Sequence, residues 1–271
     1  MDINKVFRQH LEMEQFFTGF AVKGKNSMSE ACPERSRRDR RQSRDREGVV
    51  RYPEDRAATV RERLSVSEGQ SKKAEELEKI AEEVRRCCCC NLGSSRTNAV
   101  PGEGNPNARI MFVGEAPGAD EDAQGRPFVG RAGQLLDKVI AAMGLKRSDV
   151  FIGNILKCRP PENRDPRAEE IISCFGYLQR QIEIIEPEII VALGAPAART
   201  LLNTNKSIGE LRGQFHEYYA GLGRAPIKLM PTYHTAYLLR NYSPENRKRV
   251  WEDMKKVLAE LGLPVPEHSK K

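Results

Sequence analysis

The chain has 271 residues, enough for one substantial core and an extension. Charged residues make up 31% of it, and Lys and Arg outnumber Asp and Glu by 45 to 38, a formal surplus of +7. Even the longest apolar runs, such as Ile189-Ile190-Val191-Ala192-Leu193, are too short to cross a bilayer, and Met1-Asp2-Ile3-Asn4-Lys5 lacks the apolar stretch of a secretory signal, so a cytoplasmic protein with no membrane segment is expected.

A basic surplus points to a polyanionic partner, most simply nucleic acid. In a reducing compartment the seven cysteines point to metal or cluster ligation rather than to disulfides.

Val6, Phe7, Leu11, Phe16, Phe17 and Phe20 fall at the spacing of a short amphipathic helix, so residues 1–26 are expected to form an N-terminal helical extension. Residues 27–70 are compositionally biased. Their centre, Arg35 to Arg46, has no apolar residue, cannot bury a core and is expected to be disordered. Acidic residues dilute its arginines, which favours a solvated insertion over a basic DNA-binding arm. At Ser71 order resumes. Ser71 suits an N-cap, Glu75 and Glu76 follow, and Leu77, Ile80 and Val84 form a helical stripe leading to the cysteine run.

From Ala108 strands and helices alternate. Ile110 to Val113 is a buried strand ending at Gly114, and Leu135, Leu136, Val139, Ile140 and Met143 mark a helix. Val150 to Ile152 with Ile155-Leu156 predicts a second strand, and Ile171 to Ile185 a long helix. Ile189 to Leu193 is a third strand, Ala197 to Leu202 a short helix, Ile227 to Met230 a fourth strand, and Val250 to Leu261 a final helix. Continuous apolar strands alternating with helices predict an α/β fold: three layers, α/β/α, around a central parallel four-stranded sheet. Residues 71–263 are expected to hold this α/β domain, with 264–271 a flexible tail. Ligands of such folds bind beyond the carboxyl ends of the strands, which singles out Gly114 to Gly118, Asn154 and Tyr233-His234.

Cys87-Cys88-Cys89-Cys90 contains a C-x-x-C bite in Cys87 and Cys90, with Cys158 and Cys174 isolated downstream. Thiolates suit zinc or iron–sulfur clusters. One C-x-x-C with two distant cysteines resembles the four divergent corners of a cubane more than a zinc site. Cys88 or Cys89 could replace a ligand, and Cys32 falls in the biased segment.

From about Leu77 to Leu261 the chain resembles the family 4 uracil-DNA glycosylases. The resemblance is carried by Cys87-x-x-Cys90, Gly102-Glu103-Gly104-Asn105-Pro106, Gly114-Glu115-Ala116-Pro117-Gly118 and Gly125 to Gly130. It continues through Asn154 to Pro161, Ser207-Ile208-Gly209 and Pro231-Thr232-Tyr233-His234. No single block suffices; their order is specific. It implies a [4Fe–4S] cluster on Cys87, Cys90, Cys158 and Cys174, and uracil contacts from Gly114, Glu115, Ala116, Phe128, Asn154 and His234. The implied substrate is uracil-containing DNA, bound by a monomer.

Breaking the glycosidic bond makes the sugar cationic and the base anionic, and the base must first leave the duplex stack. Glu115 is expected to orient water or offset the sugar cation, and His234 to donate to uracil O2 as charge builds. Asn154 would read the uracil edge and Phe128 would stack on the flipped base. Leu238 or Leu239 is expected to wedge into the stack while Arg240 meets a phosphate. The Gly130 to Gly133 turn could hold another phosphate, whereas Asp120-Glu121-Asp122 suggests a solvated acidic turn.

Two features depart from the family. Thr235 stands where proline usually follows the histidine, and residues 27–70 have no counterpart. The rival expectations are a non-catalytic iron–sulfur protein of the same fold that binds nucleic acid or senses redox state, and a zinc-stabilised binding domain.

Overall fold

The structure, a computed structural model, describes residues 71–221, 224–241 and 243–266. The expected N-terminal helix, the Arg-rich segment and most of the expected tail lie outside the described residues. Helix α1 occupies 71–86, followed by α2 (Leu92–Ser95), β1 (Glu103–Gly104), β2 (Ile110–Gly114), α3 (Ala119–Gln124) and α4 (Arg131–Ala142). Then come β3 (Phe151–Asn154), α5 (Ala168–Ile185), β4 (Ile189–Leu193), α6 (Ala195–Leu202) and α7 (Ile208–Leu211). The chain closes with β5 (His216–Tyr218), β6 (Ile227–Thr232), α8 (Thr235–Arg240) and α9 (Pro244–Glu260).

The described residues form a six-stranded sheet of order β1-β3-β2-β4-β6-β5. Its four central strands are parallel, as expected, and β1 and β5 add antiparallel edges. The expected count of four strands is thus corrected to six. The edges are two and three residues long, too short to show a period. The second strand also ends at Asn154 rather than reaching Leu156.

Alternation along the central strands divides the core in two. Met111, Val113, Ile190, Ala192 and Leu229 face α5 and α6, meeting Phe175, Leu178, Ile182 and Leu201. Ile110, Phe112, Ile189, Val191 and Met230 face α4 and α9, meeting Leu136, Ile140, Met254, Val257 and Leu258. Each Val, Leu, Ile, Met or Phe among them contributes roughly 1.5–3 kcal/mol on leaving water, so burial on both faces holds the three layers together. Helix α5 begins where the Glu170 carboxylate accepts the Arg167 N–H at 2.8 Å. It ends at Glu186, whose φ is 54°, just before Pro187.

Strand order reverses around β2, with β3 on one side and β4 on the other. Crevices open at such a switch point, beyond the carboxyl ends of the strands. Gly114 closes β2, Asn154 closes β3, and His234 follows β6. Gly114 pairs with Asn154 across β2 and β3, and Leu193 pairs with Thr232 across β4 and β6.

Candidate active site and cysteine recess

The sheet edge bounds a cleft of about 430 Å³ that includes Glu115, Ala116, Asp165, Gly194, His234 and Arg240 among its lining residues. Gly114, Phe128 and Asn154 adjoin it as a packed group. A Cβ at Gly114 would fall 2.4 Å from Asn154 Oδ1 and 2.6 Å from the Phe128 ring, so the close approach requires glycine. The Gly114 and Glu115 carbonyls accept the Ile155 and Leu156 N–H groups, both at 2.9 Å, tying the two strand ends together.

Asn154 is buried, and its Oδ1 has no hydrogen-bond partner among the described residues. A buried acceptor left unpaired costs about 1–3 kcal/mol unless something donates to it.

His234 caps α8 with its own ring: Nδ1 accepts the Ala236 N–H at 3.0 Å. An Nδ1 that accepts must be unprotonated, which leaves the proton of the neutral imidazole on Nε2. Burial, and then the positive charge of Arg240, push the His234 pKa down to about 4, with Glu121 opposing. At neutral pH the ring is an uncharged donor. Burial, and then the Asp165 carboxylate, push the Glu115 pKa up to about 7, within the range where a carboxylate exchanges protons at physiological pH.

Phe128 stacks on His234 with ring centroids 5.6 Å apart and planes 27° from parallel. Its φ of 50° is unusual for a non-glycine residue and is held by its surroundings. Arg147 donates to the Phe128 carbonyl at 3.1 Å and also to the Pro127 carbonyl. A Cβ at Gly133 would fall 1.9 Å from the Phe128 carbonyl oxygen, so α4 can pass only as glycine there.

The acidic stretch after Gly118 is a structural clamp rather than a solvated turn. Glu121 accepts the Val129 and Gly130 N–H groups, both at 2.9 Å, and the Gly118 N–H at 3.1 Å. Asp122 is buried and accepts the Thr97 N–H at 3.0 Å. The Gly130 amide expected to help hold a phosphate is therefore already bonded to Glu121. Sequence reading missed Arg147, whose carbonyl partners at Pro127 and Phe128 are set by the fold, and took Glu121 as solvated although Gly118-x-x-Glu121 has the local spacing of a capping box.

The three residues expected at DNA separate. Leu238 is buried in the core and is not a surface contact, Leu239 is half-buried, and Arg240 is exposed at the cleft. The large apolar side chain that α8 exposes beside the cleft is Tyr237, which sequence reading passed over.

Far along the chain from one another, Cys87, Cys89, Cys90, Cys158 and Cys174 line one recess, whereas Cys88 is exposed and does not. Several donors point at these sulfurs. Arg96 reaches Cys158 Sγ at 3.0 Å and the Lys157 N–H reaches Cys174 Sγ at 3.2 Å. Burial pushes the Cys174 thiol up to about 12, against the pull of Lys157. Lys157 is itself fully buried and donates to Gln181 Oε1 at 2.7 Å and to the Asn154 carbonyl at 3.0 Å, linking the recess to the strand end. Among the described residues, no three His, Cys, Asp or Glu side chains are arranged to hold a single metal ion.

Residues 101–255 match the uracil DNA glycosylase superfamily. The chain is 50% identical over 191 residues to a type-4 uracil-DNA glycosylase of Saccharolobus solfataricus, covering 69% of this chain and 87% of that protein. It is 48% identical over 182 residues to a type-4 uracil-DNA glycosylase of Thermotoga maritima, covering 67% and 92%. A third, from Archaeoglobus fulgidus, is 46% identical over 196 residues, covering 71% and 96%.

Proposed function

The chain belongs to the uracil-DNA glycosylase superfamily and, within it, to the type-4 enzymes, and from that membership we infer that it hydrolyses the N-glycosidic bond of uracil in DNA to leave an abasic site. One observation carries the chemical reading: His234, neutral and with its proton on Nε2, shares a cleft with Glu115.

In this reading the bond from uracil N1 to the sugar C1′ breaks and N1 keeps the electron pair. Negative charge spreads to uracil O2, where the Nε2–H of His234 donates. A neutral donor suits this task, because its hydrogen bond strengthens as the oxygen gains charge. The sugar becomes cationic and water adds at C1′. The Glu115 carboxylate orients that water and takes its proton. Asn154 Oδ1 receives the N3–H of uracil and its amide donates to O4. Cytosine reverses both groups and would leave buried polar atoms unpaired, the kind of mismatch that discriminates strongly. Phe128 supplies an apolar wall, fixed by Arg147 and Gly133. Arg240, at the rim, meets the DNA backbone.

The donor set of the recess fits an iron–sulfur cluster. Thiols from three separate stretches converge, N–H groups and a guanidinium point at their sulfurs, and the cysteines are free of disulfides. Cys87, Cys90, Cys158 and Cys174 would hold a [4Fe–4S] cluster, which when bound supplies a covalent cross-link between the segment joining α1 to α2, the loop after β3 and α5. The reading expects a cytoplasmic monomer.

The test is a uracil-containing oligonucleotide treated with purified protein and then with alkali. A nick at the uracil position is expected. An intact strand from protein carrying its full cluster absorbance would overturn the reading.

A further inference from the structure

We propose that Tyr237 is the side chain that fills the gap left in duplex DNA when the uracil nucleotide swings out. The proposal rests on the glycosylase reading and adds a residue to it.

Tyr237 is 37% exposed and is one of two large apolar side chains exposed among the described residues. It lines the same cleft as Glu115 and His234. Its N–H donates to the His234 carbonyl at 2.9 Å, so it stands one helical turn beyond the residue that would meet the base. Its neighbours on α8 do not offer themselves: Leu238 is in the core and Leu239 is half-buried.

The ring is also braced from behind. Tyr237 packs on Tyr233 with centroids 5.0 Å apart. The Arg212 guanidinium lies over the other ring of that pair, 5.1 Å from the Tyr233 centroid. Arg212 is anchored by Asp253 at 2.7 Å, and Asp253 by the buried Thr232 hydroxyl at 2.6 Å. A chain of contacts thus runs from the end of β6 out to the exposed phenol. An aromatic ring held in advance loses little freedom on binding and can stack on bases of any sequence. The exposed Arg240 lies in the last turn of the same helix, placed to meet a phosphate while the ring enters the stack. Apolar side chains inserted between base steps offset the cost of unstacking, a cost that single-stranded DNA does not impose.

That difference supplies the test. Uracil excision is measured on matched single-stranded and duplex oligonucleotides with wild type, Tyr237→Ala and Tyr237→Phe, and each protein is checked for its cluster absorbance. The ratio of duplex to single-strand rate is expected to fall about tenfold or more in Tyr237→Ala, as for loss of one stacking contact, and to recover in Tyr237→Phe. In parallel, 2-aminopurine fluorescence beside a non-hydrolysable deoxyuridine analogue should rise with wild type and fail to rise with Tyr237→Ala. An unchanged ratio, or an equal loss on both substrates, overturns the proposal, since Tyr237 would then be a bystander or a simple pocket wall. Wild-type protein that cleaves neither substrate defeats the glycosylase reading itself, and the wedge with it.

Discussion

Gly114 and Asn154 stand opposite one another in the parallel register of β2 and β3, so close that a Cβ on Gly114 would lie 2.4 Å from the Asn154 side-chain oxygen. The methyl group of Gly114→Ala would displace the amide and press on Phe128 at once. Excision of uracil should fall by about two orders of magnitude, comparable to losing one aligned polar contact in a transition state. Asn154→Asp should also abolish excision, because a carboxylate cannot donate to uracil O4. Steady-state kinetics on a uracil oligonucleotide check both, and undiminished activity in Asn154→Asp would remove the recognition role.

Glu115 and His234 have pKa values pushed apart, to about 7 and about 4. A Glu115 carboxylate that takes a proton from water is active above its pKa, so kcat/KM should decline as pH falls through about 7. His234 stays neutral until pH approaches 4 and should add no second limb in that range. Glu115→Gln should be slow and flat across the same window. Stability has a definite sign as well. The folded pKa of Glu115 lies above the ordinary carboxylate value, so its contribution is fully present at low pH and is lost as pH rises through about 7. Glu115→Gln should therefore raise Tm more at about pH 8 than at about pH 4, a comparison that thermal melts at the two pH values make directly.

Much of this was legible in the residues alone, for reasons that also explain what was not. The four central strands announce themselves because a strand covered on both faces must be apolar throughout, as Ile189 to Leu193 is. Glu103-Gly104 and His216-Glu217-Tyr218 are edge strands too short to show a period. Glu115, Asn154 and His234 stand at or just beyond strand ends, and the rule for parallel sheets locates them. The role of Glu121 was only half hidden: its bond to the Gly118 N–H is a local capping-box contact, whereas the Val129 and Gly130 N–H groups reach it only once the loop before α4 has folded back. The burial of Leu238, which was expected at the surface, was hidden for a related reason. Which face of a six-residue helix is buried is decided by what packs on it, and α8 turns Leu238 inward against α4 and α9.

The recess separates the cysteines into classes with different expected behaviour. Cys158→Ala and Cys174→Ala should lose the charge-transfer absorbance near roughly 400 nm and lower Tm, because each removes a corner joining separate elements. Cys88, exposed and outside the recess, should be replaceable by Ala with the colour intact. Cys89 also lines the recess, and its backbone N–H, which any residue at 89 would keep, points at Cys87 Sγ at 3.5 Å. Cys89→Ala should therefore keep the absorbance and Cys87→Ala should lose it. The reverse pattern would move the first ligand from position 87 to 89.

Thr235 opens α8 at a position built for proline. The N–H of a first helical residue has no intrahelical acceptor, so nothing is lost within the helix when proline removes it. Proline also restricts the residue before it to extended backbone, and His234 already has φ −66° and ψ 140°. The Thr235 hydroxyl is buried with no hydrogen-bond partner among the described residues, a cost that proline would remove. Thr235→Pro should stabilise the fold by about 1 kcal/mol, raising Tm by about 2–4 °C. The His234 ring is fixed by the Ala236 N–H rather than by residue 235, so Thr235 is compatible with a working site and the substitution should leave the imidazole in place. Thr235→Val, which removes the hydroxyl but does not fix φ, separates the two contributions in the same melts. A Thr235→Pro variant that is less stable than wild type would mean that the Thr235 N–H or hydroxyl has a partner in solution.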